Sequence, residues 1–378
     1  MKKRIIRQVS IQIPFKAKFA HHSKTRESTE TIVVEIKNNN GNNGNNGNNN
    51  DKKPLSGFGE SCPRSYVTGE DIQSAQIFIA EMAPLLEQVY SLDELKRLKA
   101  SLTKEIDKNP SAWCALEMAM LDLLAREKNI SVEKLLGLHS KTDTIPYSGV
   151  IGIDSFTAVL LKFIIYKSLG FNDFKIKLSG EQAKDLKTLK LISRWSKKVR
   201  VDANNLFTTP QEAIAYLLPL RSFIWAVEEP VGPHAFTDMK EIAMALKIKI
   251  ILDESFLNIA SLENIKGMHE MFIPNLRISK LGGVLRTLEL VAKLEESNFH
   301  WILGSHVGEM SLLTRASLLI SGNCSKALIA IEGGFSTHLL SYDPFFPNLK
   351  LGMGASIKNK SLLDSAGWGM KLIKKEGL

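Results

Sequence analysis

The sequence predicts an α/β fold in which a closed (β/α) barrel follows an N-terminal α+β capping domain. Two observations support the barrel. Eight short apolar runs alternate with helix-like stretches, and six of these runs end on a polar or charged residue at a nearly constant interval. The interval runs from 24 residues (Asp253 to Arg277) to 29 residues (Arg277 to His306), about what one strand, one helix and two turns require. The six residues are Lys177, Asp202, Glu228, Asp253, Arg277 and His306.

The apolar runs predict eight strands, the number that closes a parallel barrel. They cover residues 145–151, 174–178, 199–202, 223–227, 248–253, 276–279, 301–304 and 328–332. The barrel is therefore assigned to residues 141–345, and residues 346–378 are expected to form a C-terminal segment that returns to the capping domain. Because the carboxyl ends of parallel strands meet at one mouth, the six side chains should converge there.

The capping domain is assigned to residues 1–140. Residues 4–15 and 31–37 alternate between apolar and polar side chains, which predicts two antiparallel strands. The stretch 19–26 between them predicts a long polar loop that could close over a site. Residues 70–137 are helical in pattern. Residues 38–53 are nearly all Asn and Gly, cannot bury a core, and predict a disordered insert.

Composition excludes two classes of partner. The chain is 44% hydrophobic and 24% charged, and no apolar run reaches the ~18 residues of a membrane helix, so we expect no membrane partner. The net charge of +9 comes from lysines spread over helix faces rather than from a basic cluster with aromatic residues, so we expect no nucleic acid. Three cysteines without metal-ligand spacing, and no signal-peptide pattern, favour a reduced, cytoplasmic location.

Lys175 and Lys177 should share one face of a strand, because side chains alternate along it. Two neighbouring ammonium groups oppose each other's charge, which lowers the pKa of at least one and suits a lysine general base. The alternative is a surface pair on a basic protein, which the barrel register disfavours. The same alternation puts Asn204 on the face of Asp202, where we expect it to contact substrate.

Three carboxylates on successive strands, those of Asp202, Glu228 and Asp253, predict a Mg²⁺ site. They would leave the remaining octahedral positions for a substrate carboxylate and water. Glu229 and Glu254 follow on the opposite face by parity, so each strand end leaves a choice of ligand. An acidic residue at a strand end can also cap the next helix, although capping does not explain three in register.

These strand ends carry motifs that resemble the enolase superfamily, on its muconate-cycloisomerase and dipeptide-epimerase side. The motifs are Lys-x-Lys (175–177), Val-Asp-Ala-Asn (201–204), Val-Glu-Glu-Pro (227–230) and Leu-Asp-Glu-Ser (252–255). The cap segment 59–70 and the helix 112–119 fit the same group. The resemblance implies a barrel of the modified TIM type. It also implies Mg²⁺ on Asp202, Glu228 and Asp253, where the ion stabilises the enediolate formed when a base removes the proton α to a carboxylate.

One departure concerns the sixth barrel strand. Members of this group carry a second lysine there, in a pattern like Ile-Lys-Pro-x-Arg-Val-Gly-Gly, and aligning Gly282 and Gly283 puts Arg277 in its place and Lys280 at the arginine. Arginine stays protonated and cannot act as a base, so we expect Arg277 to fix an anion. Because side chains alternate along a regular strand, Lys280, three residues after Arg277, should point away from it. His306 resembles the histidine base of mandelate-racemase relatives, or it only binds substrate.

The remaining predicted contacts are with substrate. The resemblance implies that Glu332 holds a substrate ammonium, although dipeptide epimerases have two acidic residues there and Ala330 takes the place of the other. Substrate specificity should depend on the cap, which includes Arg26 and Tyr66. We also expect Lys280 to contact the substrate.

We therefore expect a Mg²⁺-dependent isomerase (an epimerase, racemase or cycloisomerase) that acts on a small carboxylate substrate, with Lys175, Lys177, Arg277 and His306 as catalytic residues. A lyase (dehydratase) on the same scaffold and a catalytically silent binding barrel remain alternatives. A homo-oligomer is also expected.

Overall fold

The computed structural model describes residues 3–21, 24–39, 54–139, 146–323, 327–357 and 360–373. Most of the predicted Asn/Gly insert (residues 40–53) and the predicted boundary between cap and barrel lie outside this part of the chain. Residues 38 and 39, which were assigned to the insert, instead end a strand.

The capping domain contains a three-stranded antiparallel sheet in the order β1 (Lys3–His21), β2 (Lys24–Asn39) and β3 (Ser56–Ser61). The first two strands pair from Lys3 with Asn39 to His21 with Lys24, with a register shift between Pro14 and Phe19. The prediction of a long polar loop over residues 19–26 was therefore wrong, because most of this stretch continues the hairpin ladder.

Among its described residues the cap also has six helices: α1 (Ser65–Thr68), α2 (Ile72–Leu86), α3 (Leu92–Ser101), α4 (Thr103–Lys108), α5 (Pro110–Glu127) and α6 (Val132–Leu135). The central helix α5 is buried along most of its length. Strand β3 lies directly on it, since a Cβ atom at Gly59 would stand 1.8 Å from the carbonyl oxygen of Ala115. Only glycine permits that approach, which brings the end of β3 to the mouth of the barrel.

Eight parallel strands follow in sequence order, as predicted. They are β4 (Gly149–Ile151), β5 (Asp173–Lys177), β6 (Lys198–Asp202), β7 (Ala226–Glu228), β8 (Lys249–Leu252), β9 (Phe272–Leu276), β10 (Trp301–Leu303) and β11 (Leu328–Ile331). A parallel bridge between Tyr147 and Ile331 closes the barrel, and the amide of Ser148 donates to the Ile331 carbonyl at 2.7 Å. The predicted capped (β/α) barrel is confirmed.

Helices surround the barrel, and described residues of the C-terminal segment contact the cap. The helices are α7 (Phe156–Ser168), α8 (Gln182–Ile192), α9 (Pro210–Leu217), α10 (Phe236–Leu246), α11 (Ser261–Asn264), α12 (Ile278–Leu281), α13 (Val284–Glu296), α14 (Ser311–Gly322), α15 (Ser336–Leu339) and α16 (Lys360–Leu363), with a 3-10 turn at Arg221–Phe223. In the tail, β12 (Phe345–Phe346) pairs with β13 (Lys371–Leu372). The amide of Trp368 donates to Asp122 of α5 at 2.8 Å.

The sixth barrel strand differs from the prediction. Strand β9 runs from Phe272 to Leu276, so only Leu276 of the predicted strand (276–279) is in it; Arg277 is the N-cap of the short helix α12, which Ile278 and Ser279 enter. That helix ends at Gly282, whose φ of 83° is the left-handed geometry that glycine accepts readily. The strand-parity argument for Lys280 therefore fails, because residues three apart on a helical turn share one side.

Candidate functional site

A cavity of about 490 Å³ opens at the carboxyl ends of the barrel strands, beneath the cap. Ten of the twelve site residues predicted from the sequence line it. They are Arg26, Tyr66, Lys175, Lys177, Asp202, Asn204, Asp253, Arg277, His306 and Glu332. The other two, Glu228 and Lys280, lie directly behind this lining and contact Lys175 and Asp253, respectively.

Lys177 is the final residue of β5, and its ammonium group faces the cavity. Its Nζ atom lies 2.7 Å from Asn204 Oδ1 and 3.5 Å from Asp202 Oδ2. Asn204 holds this position with a φ of 48°, a left-handed conformation that asparagine tolerates. The amide oxygen and the carboxylate therefore fix the direction of the amine.

Lys175, two residues earlier on the same face, lies among three carboxylates. Its Nζ atom is 2.7 Å from Glu332 Oε2, 3.1 Å from Glu228 Oε2 and 3.5 Å from Asp202 Oδ2. Burial alone would lower the pKa of Lys175, but these carboxylates raise it above its ordinary value. The sequence predicted a lowered pKa for at least one of the two lysines, and Lys175 is not that one, because the carboxylates outweigh burial.

Asp202, Glu228 and Asp253 occupy successive strand ends and are all buried. Asp202 and Glu228 are paired in the register of β6 and β7. All three offer oxygen donors, the type that Mg²⁺ prefers. Burial raises the pKa of Glu228 to about 8 even though Lys175 opposes the shift, so this carboxylate in particular favours a further cation.

The three carboxylates currently face basic side chains. In the described part of the chain, no three acidic, His or Cys groups converge closely enough to ligate one ion. Asp202 and Glu228 contact Lys175, while Asp253 contacts Arg277 and Lys280. The donor set fits Mg²⁺ in its chemistry and its placement on three strands, and binding an ion requires some of these contacts to be exchanged.

The two glutamates at the end of β7 differ in their contacts. Both carboxylate oxygens of Glu229 are already used: Oε1 accepts the amides of Asp253 (2.6 Å) and Ser255 (2.8 Å), and Oε2 accepts the Ser255 hydroxyl at 2.8 Å. Glu229 therefore braces the turn after β8, whereas Glu228 contacts the side chains of Lys175 and Asn275 and stays the candidate ligand from this strand. At β8 the choice stays open, because Glu254 lines the cavity and its Oε2 atom has no partner.

Arg277 and Lys280 both bind Asp253. The Arg277 guanidinium donates to Asp253 Oδ2, and Lys280 Nζ lies 2.9 Å from Oδ1 and 2.7 Å from the Asp253 carbonyl. Burial opposes ionisation of Asp253, but the two cations hold its pKa well below the usual range. Lys280 is fully buried, donates also to the Asn275 carbonyl at 2.8 Å, and is not part of the cavity lining. A direct substrate contact by Lys280 is therefore not favoured.

His306 follows β10 and faces the cavity with one free ring nitrogen. Its Nδ1 atom lies 3.0 Å from the Cys62 carbonyl oxygen, and its buried Nε2 atom has no partner. Burial, with Arg277 and Arg64 nearby, holds the pKa of His306 well below its usual range. The imidazole is therefore neutral, as a base must be before it accepts a proton.

Glu332, at the end of β11, is bound on both oxygens. Oε2 meets Lys175 at 2.7 Å and Oε1 meets Arg200 at 2.7 Å. Burial alone would raise the pKa of Glu332, but the two cations lower it to about 2. Two cap residues also line the cavity: the Arg26 guanidinium lies over the ring of Tyr66, 4.9 Å from its centroid.

Sequence reasoning missed three participants. Arg200 lies two residues before Asp202 on β6, so strand alternation could have placed it inside the barrel. Asn275 Nδ2 donates to Glu228 Oε1 at 3.2 Å, but the misplaced sixth strand hid this contact. The Cys62 carbonyl is a main-chain group from the cap, and no side-chain motif marks it.

A capped parallel barrel with carboxylates, lysines and a neutral histidine at its mouth defines an enzyme of acid–base chemistry. Two family models match the chain: "Enolase C-terminal domain-like" over residues 163–373 and "Mandelate racemase / muconate lactonizing enzyme, N-terminal domain" over residues 4–137. The chain therefore belongs to the enolase superfamily, in its mandelate racemase/muconate lactonizing enzyme family, and the resemblance seen in the motifs is confirmed.

Several curated relatives are epimerases. The chain is 27% identical to an L-Ala-D/L-Glu epimerase of Francisella tularensis subsp. novicida over 76% of this chain and 78% of that protein. It is 23% identical to a hydrophobic dipeptide epimerase of Enterococcus faecalis over 88% and 92%, respectively.

Solved structures share the fold. A substrate-liganded L-Ala-D/L-Glu epimerase from Bacillus subtilis superposes with a TM-score of 0.83 at 21% identity, over 99% of this chain and 100% of that one. The Enterococcus faecalis dipeptide epimerase complexed with Mg and L-Leu-L-Tyr gives 0.81 at 21% identity, over 98% and 100%. Within the described residues, no helix combines the length and apolar character needed to cross a membrane.

Proposed function

We propose that this enzyme is an isomerase that removes and returns a proton α to the carboxylate of a small substrate, with Lys177 as the base. The observation that carries the proposal is the position of Lys177 on β5 beside the carboxylates of three successive strands, all at one mouth. Its epimerase relatives catalyse isomerisations, and this favours an isomerase over a lyase.

The fixed amine of Lys177 supplies the base. A carboxylate α-proton is a very weak acid, and its removal leaves an enediolate with two negative charges on the former carboxylate. Mg²⁺ held by Asp202, Glu228 and Asp253 would supply the positive charge that this enediolate needs. Lys175, whose charged form is favoured, and the Arg277 guanidinium line the same cavity and would add two further cations.

Epimerisation also needs a second group, which exchanges a proton with the face of the α-carbon opposite Lys177. Arg277, which occupies the place of the family's second lysine, stays protonated and cannot take a proton. Its contact with Asp253 instead suits it to orient the anion. The neutral imidazole of His306, with its unpartnered Nε2 atom in the cavity wall, is a base that could serve that face.

The experiment is solvent exchange. The enzyme with Mg²⁺ is incubated in deuterated water with a panel of carboxylates that includes dipeptides, and label at the α-carbon is followed by NMR. Lys177→Met keeps the length of the side chain and removes the amine, and we expect it to lower the exchange rate roughly a hundredfold to ten-thousandfold. The matched control is Lys190→Met, an exposed position on α8, which should leave the rate unchanged.

No label with any acid that binds would sink the proposal and favour a silent barrel. Label accompanied by loss of water would favour the lyase alternative. A homo-oligomer and a cytoplasmic location stay predictions from the sequence.

A further inference from the structure

The loop that carries His306 is held partly from outside the barrel. Residues 304–310, which follow β10, form neither strand nor helix. Glu309 steadies the loop from within, because its Oε1 atom accepts the His306 amide at 2.7 Å and its own amide donates to the His306 carbonyl at 3.2 Å. Further contacts come from the cap, so the position of the imidazole depends on both domains.

Arg64 of the cap supports this loop. It is the N-cap residue of α1 and is only 4% exposed. Its Nη2 atom donates to the Val307 carbonyl at 2.6 Å and to the Thr29 hydroxyl oxygen at 2.8 Å. Its Nη1 atom donates to the carbonyls of Pro63 at 2.7 Å and Glu30 at 3.3 Å. One guanidinium group therefore joins strand β2, the segment that follows β3, and the loop after β10.

Thr29 also touches the loop directly. Gly308 has a φ of 95°, and a Cβ atom at this position would stand 2.3 Å from Thr29 Oγ1. A residue with a side chain fits neither this backbone conformation nor this space. The turn at Gly308 therefore packs closely on the same hydroxyl group that Arg64 binds. A displacement of either cap residue would move the loop that contains His306.

The same two cap segments form part of the cavity wall. Arg26 lies three residues before Thr29 on β2, and its guanidinium covers the ring of Tyr66, two residues after Arg64. Both Arg26 and Tyr66 line the cavity. A substrate that contacts this wall therefore contacts segments that Arg64 connects to the His306 loop.

Lys177, the base on the other face, is positioned differently. It ends β5, whose pairing with β6 continues to Asp202, and its amine contacts Asn204 and Asp202 of the barrel. The direction of this amine follows from barrel residues, whereas that of the His306 ring depends on the cap. A change at Arg64 should therefore affect the two faces of the α-carbon unequally.

We propose that Arg64 is a positioning residue for His306. It holds the loop after β10 against the cap wall, which keeps the His306 ring at the Cys62 carbonyl and directs its Nε2 atom at the substrate. The inference rests on the proposed function, because it takes His306 to be the base on the face opposite Lys177. Arg64 acts through His306 and is not part of the cavity lining.

The first test measures the two faces separately. Exchange of the α-proton of each substrate enantiomer is followed by NMR in deuterated water with the Mg²⁺-loaded enzyme. Arg64→Met removes the guanidinium and keeps an unbranched side chain. We expect kcat at the His306 face to fall roughly tenfold to a hundredfold, because a displacement of about 1 Å can have this effect, while the rate at the Lys177 face stays nearly unchanged.

Three further variants separate positioning from general damage to the fold. Arg64→Lys should keep part of the rate, since one ammonium group can reach some but not all of the four oxygens that Arg64 contacts. Thr29→Val keeps the shape against Gly308 and removes the oxygen that Arg64 binds, so it should give a smaller loss at the same face even if Arg64→Met does not fold. Arg286→Met breaks another contact between barrel and cap, the ion pair with Asp107, and should not separate the two faces.

The second readout does not require turnover. Nitrogen NMR of isotope-labelled histidine side chains reports which ring nitrogen carries the hydrogen, and the spectrum of His306→Asn identifies the His306 signal. The natural protein should show the form with the hydrogen on Nδ1, which the Cys62 carbonyl selects. Arg64→Met should show a mixture of both forms, because the ring leaves that carbonyl for part of the time.

A loss confined to the His306 face, together with a mixed tautomer, is the expected result. Equal losses at both faces, no loss at either face in a folded Arg64→Met protein, or an unchanged tautomer would overturn the inference. If the natural protein exchanges neither enantiomer, the proposed function fails, and the tautomer in Arg64→Met still decides whether Arg64 positions His306.

Discussion

The Nδ1 atom of His306 lies 3.0 Å from the carbonyl oxygen of Cys62, so a main-chain group of the cap orients a side chain of the barrel. A carbonyl only accepts, which means that Nδ1 carries the hydrogen and Nε2 keeps its lone pair. The Cys62 amide donates in turn to the Ser279 hydroxyl at 3.3 Å. The peptide of Cys62 thus connects the ends of two neighbouring barrel strands and sets the tautomer of the proposed second base.

The first prediction concerns this histidine. His306→Asn keeps a donor for the Cys62 carbonyl but removes the ring nitrogen that faces the cavity. We expect α-proton exchange to be lost for the substrate enantiomer whose proton faces His306, and to persist for the enantiomer that faces Lys177. NMR in deuterated water on the two enantiomers separately measures this. Equal losses for both enantiomers would instead indicate that His306 only binds substrate.

A second prediction follows from the chemistry of Arg277. Arginine cannot release its proton near neutral pH, whereas a buried lysine amine can. In the His306→Asn background, Arg277→Lys should therefore restore part of the lost exchange. The rescue should increase with pH, because the deprotonated amine is the active form. Arg277→Met in the same background is the control, since it removes the contact with Asp253 without offering a base; rescue by Met would disprove the explanation.

Magnesium removal is the third prediction. A chelator should abolish exchange, and adding Mg²⁺ back should restore it. Because an ion that binds the folded chain stabilises it, free Mg²⁺ at about a hundred times its Kd should add ~2.7 kcal/mol to the free energy of unfolding. Asp253→Asn should remove most of this stabilisation. Glu254→Asn tests the ligand choice left open at β8, and loss of the Mg²⁺ effect in that variant alone would assign the site to Glu254.

The strand ends were predictable from the sequence because their polar residues recur with the period of a strand–helix unit. An error in the predicted bounds of one strand or helix does not change that period. The sixth strand was misplaced because Leu276 and Ile278 alternate like strand residues. Ile278 is instead buried on a helical turn that ends at Gly282. The roles of Glu229 and Lys280 depend on which neighbouring strand each one reaches, and the pKa of Lys175 depends on three carboxylates distant in sequence. Local patterns carry none of this information.

The last prediction concerns the contact between cap and barrel at Glu117. This carboxyl group on α5 accepts the amide of Leu285 at the start of α13 at 2.9 Å. Burial raises its pKa from 4.5 to about 7, although Lys99 and the amide oppose the shift. Because the folded-state pKa lies above the unfolded-state value, this group's contribution to stability is complete below pH 4.5 and is lost as the pH rises through about 7.

Glu117→Gln keeps the acceptor and cannot ionise. The variant should therefore gain stability relative to the natural protein between pH 5 and pH 8, by roughly 3 kcal/mol at most. Urea unfolding at several pH values measures the difference. Glu81→Gln, at an exposed position on α2, is the control. Its free energy of unfolding should change with pH in the same way as that of the natural protein. A constant offset between Glu117→Gln and the natural protein over this range would mean that Glu117 does not titrate there, and that the cap is held on the barrel by an ionised carboxylate throughout.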